Sequence, residues 1–585
     1  MALSAVAVLL LSAAPWSTLP AAADDPSPPG VARIDLIQGD VGVRSDEAGE
    51  TVAAVVNAPV LEGDYISTGD SGSAAEVQYD GASLIRIGYD TQVRFVTIEG
   101  DNRVAQVAQG TIEERVFDGG LPAEIDTPFI AVRPQGPGAY RIGVADDGSA
   151  QITVRSGSVL LESPQGAQTI SAGNTANVSG SADQPAIAVG PAVAKDAFDS
   201  FNASRDAAAV EALNDPNAPA GLAYDDYAQY GQWVDDPTYG EVWAPTEDAN
   251  WAPYTNGTWV WAGGYGWTWV SNEPWGWGPY HYGRWFHSPV YGWCWYPPPP
   301  QPALDYVWSP ALVAFVGFGG ASGGFASIGW VPLAPREPFY PWYGWSGGVF
   351  VASTTVRTVD ITSVTYVNRR WGRMIPIDRW QAGNFAHPAR IASADWQNVQ
   401  AVHGALPVVP TRANLRFTAK PLPATLAKAP IVRPHLAALA RTHKAAPSFD
   451  QVRAALQTRI ESPNAPANQN RAPGVEPRSP SVQPHAQPAP SEYQRPQGNV
   501  PVTDGSHGSV PTTYGSHGQV PRTQRSLDST RPQGGSLRYP ADGSGASRQS
   551  QPQVRQRPPQ PQLQRNAPAP PPKKPAPKDD KAKKP

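Results

Sequence analysis

Apolar and polar residues alternate in short runs along the first third of the chain. Gln92-Val93-Arg94-Phe95 and Gln151-Ile152-Thr153-Val154-Arg155 place every second side chain on one face, and Ile85-Arg86-Ile87 does so more briefly. A two-residue period is that of a strand with one buried face. Asp80-Gly81, Asp147-Gly148 and Ser156-Gly157 fall between such runs and mark tight turns. From about 32 to 188 the pattern predicts an all-β domain of hairpins, a sandwich or a solenoid-like roll.

The period then changes. Residues 193–214, VAKDAFDSFNASRDAAAVEALN, are Ala-rich, with Phe198, Phe201, Ala208 and Val210 near helical spacing and Asp215-Pro216 as a stop. One connecting helix docked on a neighbouring domain is expected. Much later, Ser448-Phe449-Asp450-Gln451 forms a capping box that opens a short helix to about Ile460. Val351–Val367 is rich in Val and Thr and reads as strand, and 376–460 reads as a mixed segment. From about 461 to 585 the chain is Pro, Gln, Ser and Gly with few large apolar residues, too few to offset the entropy of ordering, so a disordered tail is predicted. Within it PVTDGSHGSV and PTTYGSHGQV repeat, with His507 and His517 at matching positions.

A longer period lies between these regions. Trp233, Trp259 and Trp285 are 26 residues apart, as are Gly240, Gly266 and Gly292, and again Trp243, Trp269 and Trp295. GQWVDDPTYGEVW, GTWVWAGGYGWTW and GRWFHSPVYGWCW are therefore tandem copies of one strand–turn–strand unit. Trp251-Ala252-Pro253-Tyr254 and Trp277-Gly278-Pro279-Tyr280 join successive copies. Trp308-Ser309-Pro310-Ala311 opens a degenerate fourth unit ending near Gly329-Trp330-Val331-Pro332.

Two stretches carry resemblances. Gly63-Asp64-Tyr65-Ile66-Ser67-Thr68-Gly69, followed by Asp80-Gly81, Gly110, Thr127-Pro128 and Gly148–Val154 with Gly157-Ser158-Val159, resembles the FecR domain over 32–188. The FecR resemblance implies a periplasmic β domain that binds or relays a signal and brings no catalytic residue. The family's V-x-G-T-x-F segment is replaced here by Val132–Tyr140. Residues 224–375, with W-V-D-D-P-T-Y-G, Y-H-Y-G-R-W, Y-G-W-C-W and G-W-V-P-L, resemble the domain of unknown function DUF6600. The expected fold class is mainly β: a FecR-like domain, a connecting helix at 193–214, aromatic hairpin repeats, then the Pro/Gln-rich tail.

Composition refines the address. At 585 residues the chain holds two or three domains, and a net charge of −6 gives no field directed at nucleic acid. The C-terminal end carries Lys573, Lys574, Lys578, Lys581, Lys583 and Lys584, which suits a solvated tail or contact with an anionic surface. LSAVAVLLLSAA followed by Ala21-Ala22-Ala23 reads as a signal peptide over 1–23, and no transmembrane helix is expected afterwards. Cys294 is the only cysteine, so no intramolecular disulfide forms. A periplasmic or secreted protein is predicted.

Candidate chemistry centres on the tryptophans. Alternation puts Trp259 and Trp261 on one face and Val260 on the other, and Trp267 and Trp269 of the next strand also share a face, so cross-strand aromatic pairs follow. These rings, with Trp285 and Trp295, have two readings. They are the core of a sheet poor in Leu and Ile, or a ligand face that stacks on peptidoglycan or exopolysaccharide. His281, His287 and Cys294 match no strong zinc spacing, and no cofactor is expected. Asp236-Pro237 suits a turn. Asp225, Asp226, Glu241, Glu247 and Glu273 are the carboxylates available to a glycan-active enzyme, which needs two converging across a cleft. The expected function is non-enzymatic: ligand binding, sensing or scaffolding in the cell envelope. The expected partner is a cell-wall or surface glycan, or an envelope protein.

Overall fold

The computed structural model describes residues 30–461 apart from 46–48, 220, 223, 225, 300–306, 320–324, 347–348, 361–365 and 428–446. The expected signal peptide, and the tail from 462 with its histidines and lysines, lie outside the described residues. Strands dominate, and the chain is mainly β.

Seventeen strands from Ala32–Gln38 to Pro185–Pro191 make the first domain. They form two layers. One runs Pro59–Val60, Ala32–Gln38, Ala74–Asp80, Ser83–Ile87, the second half of Asn102–Val116, Gly138–Val144, Ala150–Ser156, Asn174–Gly180 and Pro185–Pro191. The other runs Thr51–Ala53, Val41–Arg44, Tyr65–Thr68, Gln92–Glu99, the first half of Asn102–Val116, Glu124–Asp126, Ala131–Pro134, Ser158–Ser163 and Gly166–Ser171. Ile34, Val77, Ile85, Ile142 and Ile152 of the first meet Val93, Phe95, Val107, Val132 and Leu161 of the second in the core.

Asn102–Val116 belongs to both layers because it bends at Gly110. There φ is +93°, and a Cβ would lie 2.2 Å from Thr91 Oγ1. Only glycine accommodates that conformation and that approach.

The outer face of the first layer is charged. Glu76, Arg86, Glu113 and Arg141 stand opposite one another in register on four adjacent strands, so the sign alternates along the row. The helix Ala197–Leu213 covers this row. Arg205 reaches Asp35 and Glu76, Asp206 reaches Arg86 and Arg115, and Asp199 reaches Arg141 and Arg155. Burial alone would raise the Glu76 carboxyl, but Arg86 and Arg205 outweigh it and hold it at about 2.

The helix therefore turns in a different side from the one its aromatic spacing suggests. Asp199, Asn202, Ala209 and Ala212 are buried, whereas Val210 is exposed and Phe198 and Phe201 lie at the edge. A charged sheet face selects complementary charges over apolar area, because each unpaired buried charge would be costly.

The 26-residue copies form hairpins: Gly231–Asp236 with Gly240–Pro245, Gly257–Ala262 with Gly266–Ser271, and Arg284–Ser288 with Gly292–Tyr296. The first and third join through Trp243 opposite Trp295, and the second stands as its own two-stranded ribbon. Val313–Phe318 and Ser327–Pro332 make the fourth hairpin. It lies within a six-stranded sheet with Val356–Asp360, Val399–Gly404, Arg373–Pro376 and Ala389–Arg390. The final described helix, Phe449–Glu461, buries Phe449 and Leu456.

Replacing Asp199 by Ala strips Arg141 and Arg155 of their shared partner beneath the helix. A loss of about 3 kcal/mol is expected in urea unfolding, while the exposed Val210→Ala should shift stability by less than about 0.5 kcal/mol. Equal effects of the two substitutions would remove the charged seam as the reason for docking.

Candidate functional site

Each hairpin sets a tryptophan opposite a tryptophan: Trp233 with Trp243, Trp259 with Trp269, and Trp285 with Trp295. The turns that bring them together end in Gly240, Gly266 and Gly292, with φ of +73°, +73° and +75°. In the first copy Asp236 supplies the turn, accepting the Thr238 N–H at 2.9 Å and the Ser288 hydroxyl at 3.1 Å.

The rings face inward. Trp259, Trp267, Trp269 and Trp285 are each 1% exposed, Trp295 is 0% and Trp261 is 7%. Trp259 packs on Phe315 at 5.0 Å, Trp269 at 5.4 Å and Trp380 at 5.7 Å, and Trp267 meets Trp380 edge-on at 4.9 Å. A ring that stacks on a sugar needs an open face, and these faces are filled by other rings. The structure thus places the six in the core, the first of their two readings. Trp261 borders a cleft with Val52, Leu61, Asp64, Leu415 and Phe417, and a smaller recess with Trp267 and Trp342.

Burying an indole also requires a place for its N–H. Trp243 donates to the Tyr227 carbonyl, Trp285 to Pro279, Trp295 to Tyr282, Trp330 to Tyr254 and Trp342 to Trp267, at 2.8–3.2 Å. The acceptors Tyr254 and Pro279 lie in the joints between copies. Tyr254, held at φ +60°, donates its hydroxyl to the Tyr280 carbonyl and accepts the Leu312 N–H. Tyr254 and Tyr280 are equivalent residues of successive joints, so the repeat ties its own linkers together.

The repeat domain is locked to the first domain by two polar side chains. Arg33 is fully buried. It donates to Gln78 at 2.7 Å and to Asp226 at 3.0 Å, and lies over the Tyr224 ring at 4.6 Å. Asn57 donates to the Glu273 carbonyl at 2.7 Å.

Glu273 is one of two carboxylates that the period relates, since Glu247 precedes it by 26 residues. The same 26-residue interval that aligns the tryptophans was signal enough to pair them in the sequence. Glu247 is exposed, whereas Glu273 is 4% exposed and accepts from the Ser271 hydroxyl and the Trp251 indole. Burial pushes the Glu273 carboxyl up to about 7 despite these donors. A buried acid with its oxygens engaged by its own hairpin is built as a strut. It does not line the cleft beside Trp261.

The other candidates lie apart. His281 is buried, stacks on Trp308 at 4.8 Å and contacts the Ser309 carbonyl, and burial pushes its imidazole down to about 3. His287 is on the surface, and burial raises the Cys294 thiol to about 12. Among the described residues no group of three or more metal-ligating side chains gathers.

Residues 224–337 match a family of unknown function, DUF6600. No curated protein matches the chain. Two crystal structures of a candidate anti-sigma factor from Parabacteroides distasonis ATCC 8503 are similar to part of it. One is 18% identical over 22% of this chain and 59% of its own, with a TM-score of 0.19. The other is 15% identical over 31% of this chain and 99% of its own, with a TM-score of 0.21. This chain thus spans 59% of the first of those chains, and scores this low carry no argument about fold or role.

Trp259→Ala should cost about 3–5 kcal/mol in urea unfolding, the range for a large core ring. A loss below about 0.5 kcal/mol would return that ring to the surface. Glu273 gives a signed pH dependence. Its folded value near 7 lies above the ordinary 4.5, so its contribution is intact below about 4.5 and is lost as pH rises through about 7. Glu273→Gln should remove about 3 kcal/mol of that decline, read as urea midpoints between pH 4.5 and 8. An unchanged pH profile would show the carboxyl to be ionised in the folded protein.

Proposed function

We propose that this is an exported, non-enzymatic protein of the cell envelope that serves as a rigid body for binding, sensing or scaffolding. The observation that carries the reading is the junction of Arg33 and Asn57 with Asp226 and Glu273, which fixes two β domains as one unit. A rigid unit presents surfaces at fixed spacing without losing side-chain and hinge entropy on binding. The FecR resemblance of 32–188 and the leader-like first 23 residues support a periplasmic or secreted address. Among the described residues no helix is long and apolar enough to cross a membrane. The partner under this reading is an envelope protein or a surface polymer met on the outside of the body. The six core tryptophans are covered mainly by other rings, so a carbohydrate module built on all of them is not favoured.

The test is fractionation of cells producing the tagged chain, joined to cross-linking in whole cells. The expected result is recovery outside the cytoplasm, shortened by about 23 residues, with envelope cross-links that persist in a Glu247→Gln/Glu273→Gln variant. Retention in the cytoplasm would overturn export. Loss of a measurable glycan turnover in that variant would overturn the non-enzymatic reading.

A further inference from the structure

Most arginines of the first domain are matched with acids, with Arg44 and Arg94 lying instead over the Tyr65 ring, whereas a group of four in the later part of the chain gathers without one. Arg369, Arg370, Arg373 and Arg390 have no carboxylate within 4.0 Å among the described residues. They are also gathered. Arg373 and Arg390 stand directly opposite each other on paired strands, where like charges repel. Arg369 and Arg370 lie in the turn that leads into the Arg373 strand.

This turn is held in place. Asn368, 0% exposed, donates to the Trp285 and Pro332 carbonyls at 2.8 and 3.1 Å. Arg370 lies 3.6 Å over the Trp371 ring, and His287 stacks on the same ring at 4.8 Å. Trp293 meets it edge-on at 4.7 Å. The indole is thereby occupied in orienting a guanidinium and has little face left for a nucleic-acid base or a sugar.

Apolar side chains flank the charges. Val290 is 73% exposed and Val367 65%, the two highest values among the exposed large hydrophobic residues, and Tyr291 is 38% exposed. Val367 adjoins Asn368, and Val290 and Tyr291 form the tip of the hairpin whose His287 and Trp293 touch Trp371. Unpaired guanidiniums beside outward aliphatic and phenolic side chains match an interface with phosphate at its surface and hydrocarbon beneath.

We propose that Arg369, Arg370, Arg373 and Arg390, with Val290, Tyr291 and Val367, form a docking patch for an anionic lipid surface. The arginines bind headgroup phosphates, in pairs where the fork geometry allows, and the two valines enter the outer edge of the acyl region. The patch lies on the rigid body, so binding through it fixes an orientation.

The test is co-sedimentation of the full chain with phosphatidylcholine vesicles holding about 30% phosphatidylglycerol. Three proteins are compared: the unaltered chain, Arg369→Gln/Arg390→Gln, and Val290→Ser/Val367→Ser. Arg369 and Arg390 are exposed charges, and Val290 and Val367 also face solvent, so urea midpoints should be unchanged. Expected are binding that high salt releases, a loss of about tenfold in the arginine variant, and a loss of about threefold in the valine variant. No sedimentation of the unaltered chain would overturn the patch, and equal binding by the arginine variant would overturn it and leave the tail as the contact. An unaffected valine variant together with full competition by a polyuronate would overturn the lipid assignment in favour of an acidic polymer.

Discussion

A tryptophan is buried here by the rings that cover it, and for Trp243, Trp285, Trp295, Trp330 and Trp342 also by an acceptor for the N–H; the two demands organise the second half of this structure. The hairpins supply the rings, because the register that sets Trp259 against Trp269 is repeated in the copies on either side. Several acceptors come from between the hairpins. Tyr254 and Pro279 in the joints offer carbonyls to Trp330 and Trp285. The joints are thus part of the core, which explains how Tyr254 tolerates φ of +60°. Its two hydroxyl hydrogen bonds and its accepted indole over-determine a conformation that would otherwise be strained. Where no oxygen is in reach, as for Trp267, the ring meets Trp380 at near right angles instead, the arrangement that aromatic quadrupoles favour.

The first domain meets the same constraint with charge. Its outer sheet face could bury only a helix that answers Glu76, Arg86, Glu113 and Arg141 in kind. Ala197–Leu213 does so with Asp199, Arg205 and Asp206. At the domain junction Arg33 and Asn57 repeat the device singly. A buried arginine held by Gln78, Asp35 and Asp226 tolerates little displacement, since separation of the domains would take Asp226 from it. Apolar surface permits sliding; paired polar groups fix register.

These two modes differ in how far the sequence discloses them. The two-residue alternation and the 26-residue period announce hairpins directly, and the common spacing of Gly240, Gly266 and Gly292 announces their turns. Which hairpins pair is not written in the period, because three equal copies offer three equal partners. The contact of Trp243 with Trp295 joins first to third, an outcome of tertiary packing alone. The helix was legible as a helix, but its buried side was not. Phe198 and Phe201 advertise an apolar stripe, and only knowledge of the sheet face beneath shows that Asp199 and Asn202 must turn inward. For the candidate site, the sequence favours the tryptophans as core but leaves a surface reading open, since alternation assigns faces without saying which is covered. Trp380 and Trp342, distant in sequence, do the covering.

The last of these points bears on where recognition can occur. A domain that spends its aromatic rings on its own core must bind through what remains outside, and what remains is set by how the core is closed. Asn368 closes it at one side by capping the carbonyls of Trp285 and Pro332, and its neighbours Val367, Arg369 and Arg370 are projected outward as a consequence. At the sheet face and at the junction the protein matches its guanidiniums with acids. A cluster of four arginines without an acid among the described residues, one of them stacked on Trp371, is not a by-product of a basic composition, for the chain carries a net charge of −6. The repulsion between Arg373 and Arg390 persists in the folded chain because packing of the strands beneath outweighs it, and any anion that bridges them relieves it. Stability that resides in the aromatic core is what permits an unneutralised surface to be kept open.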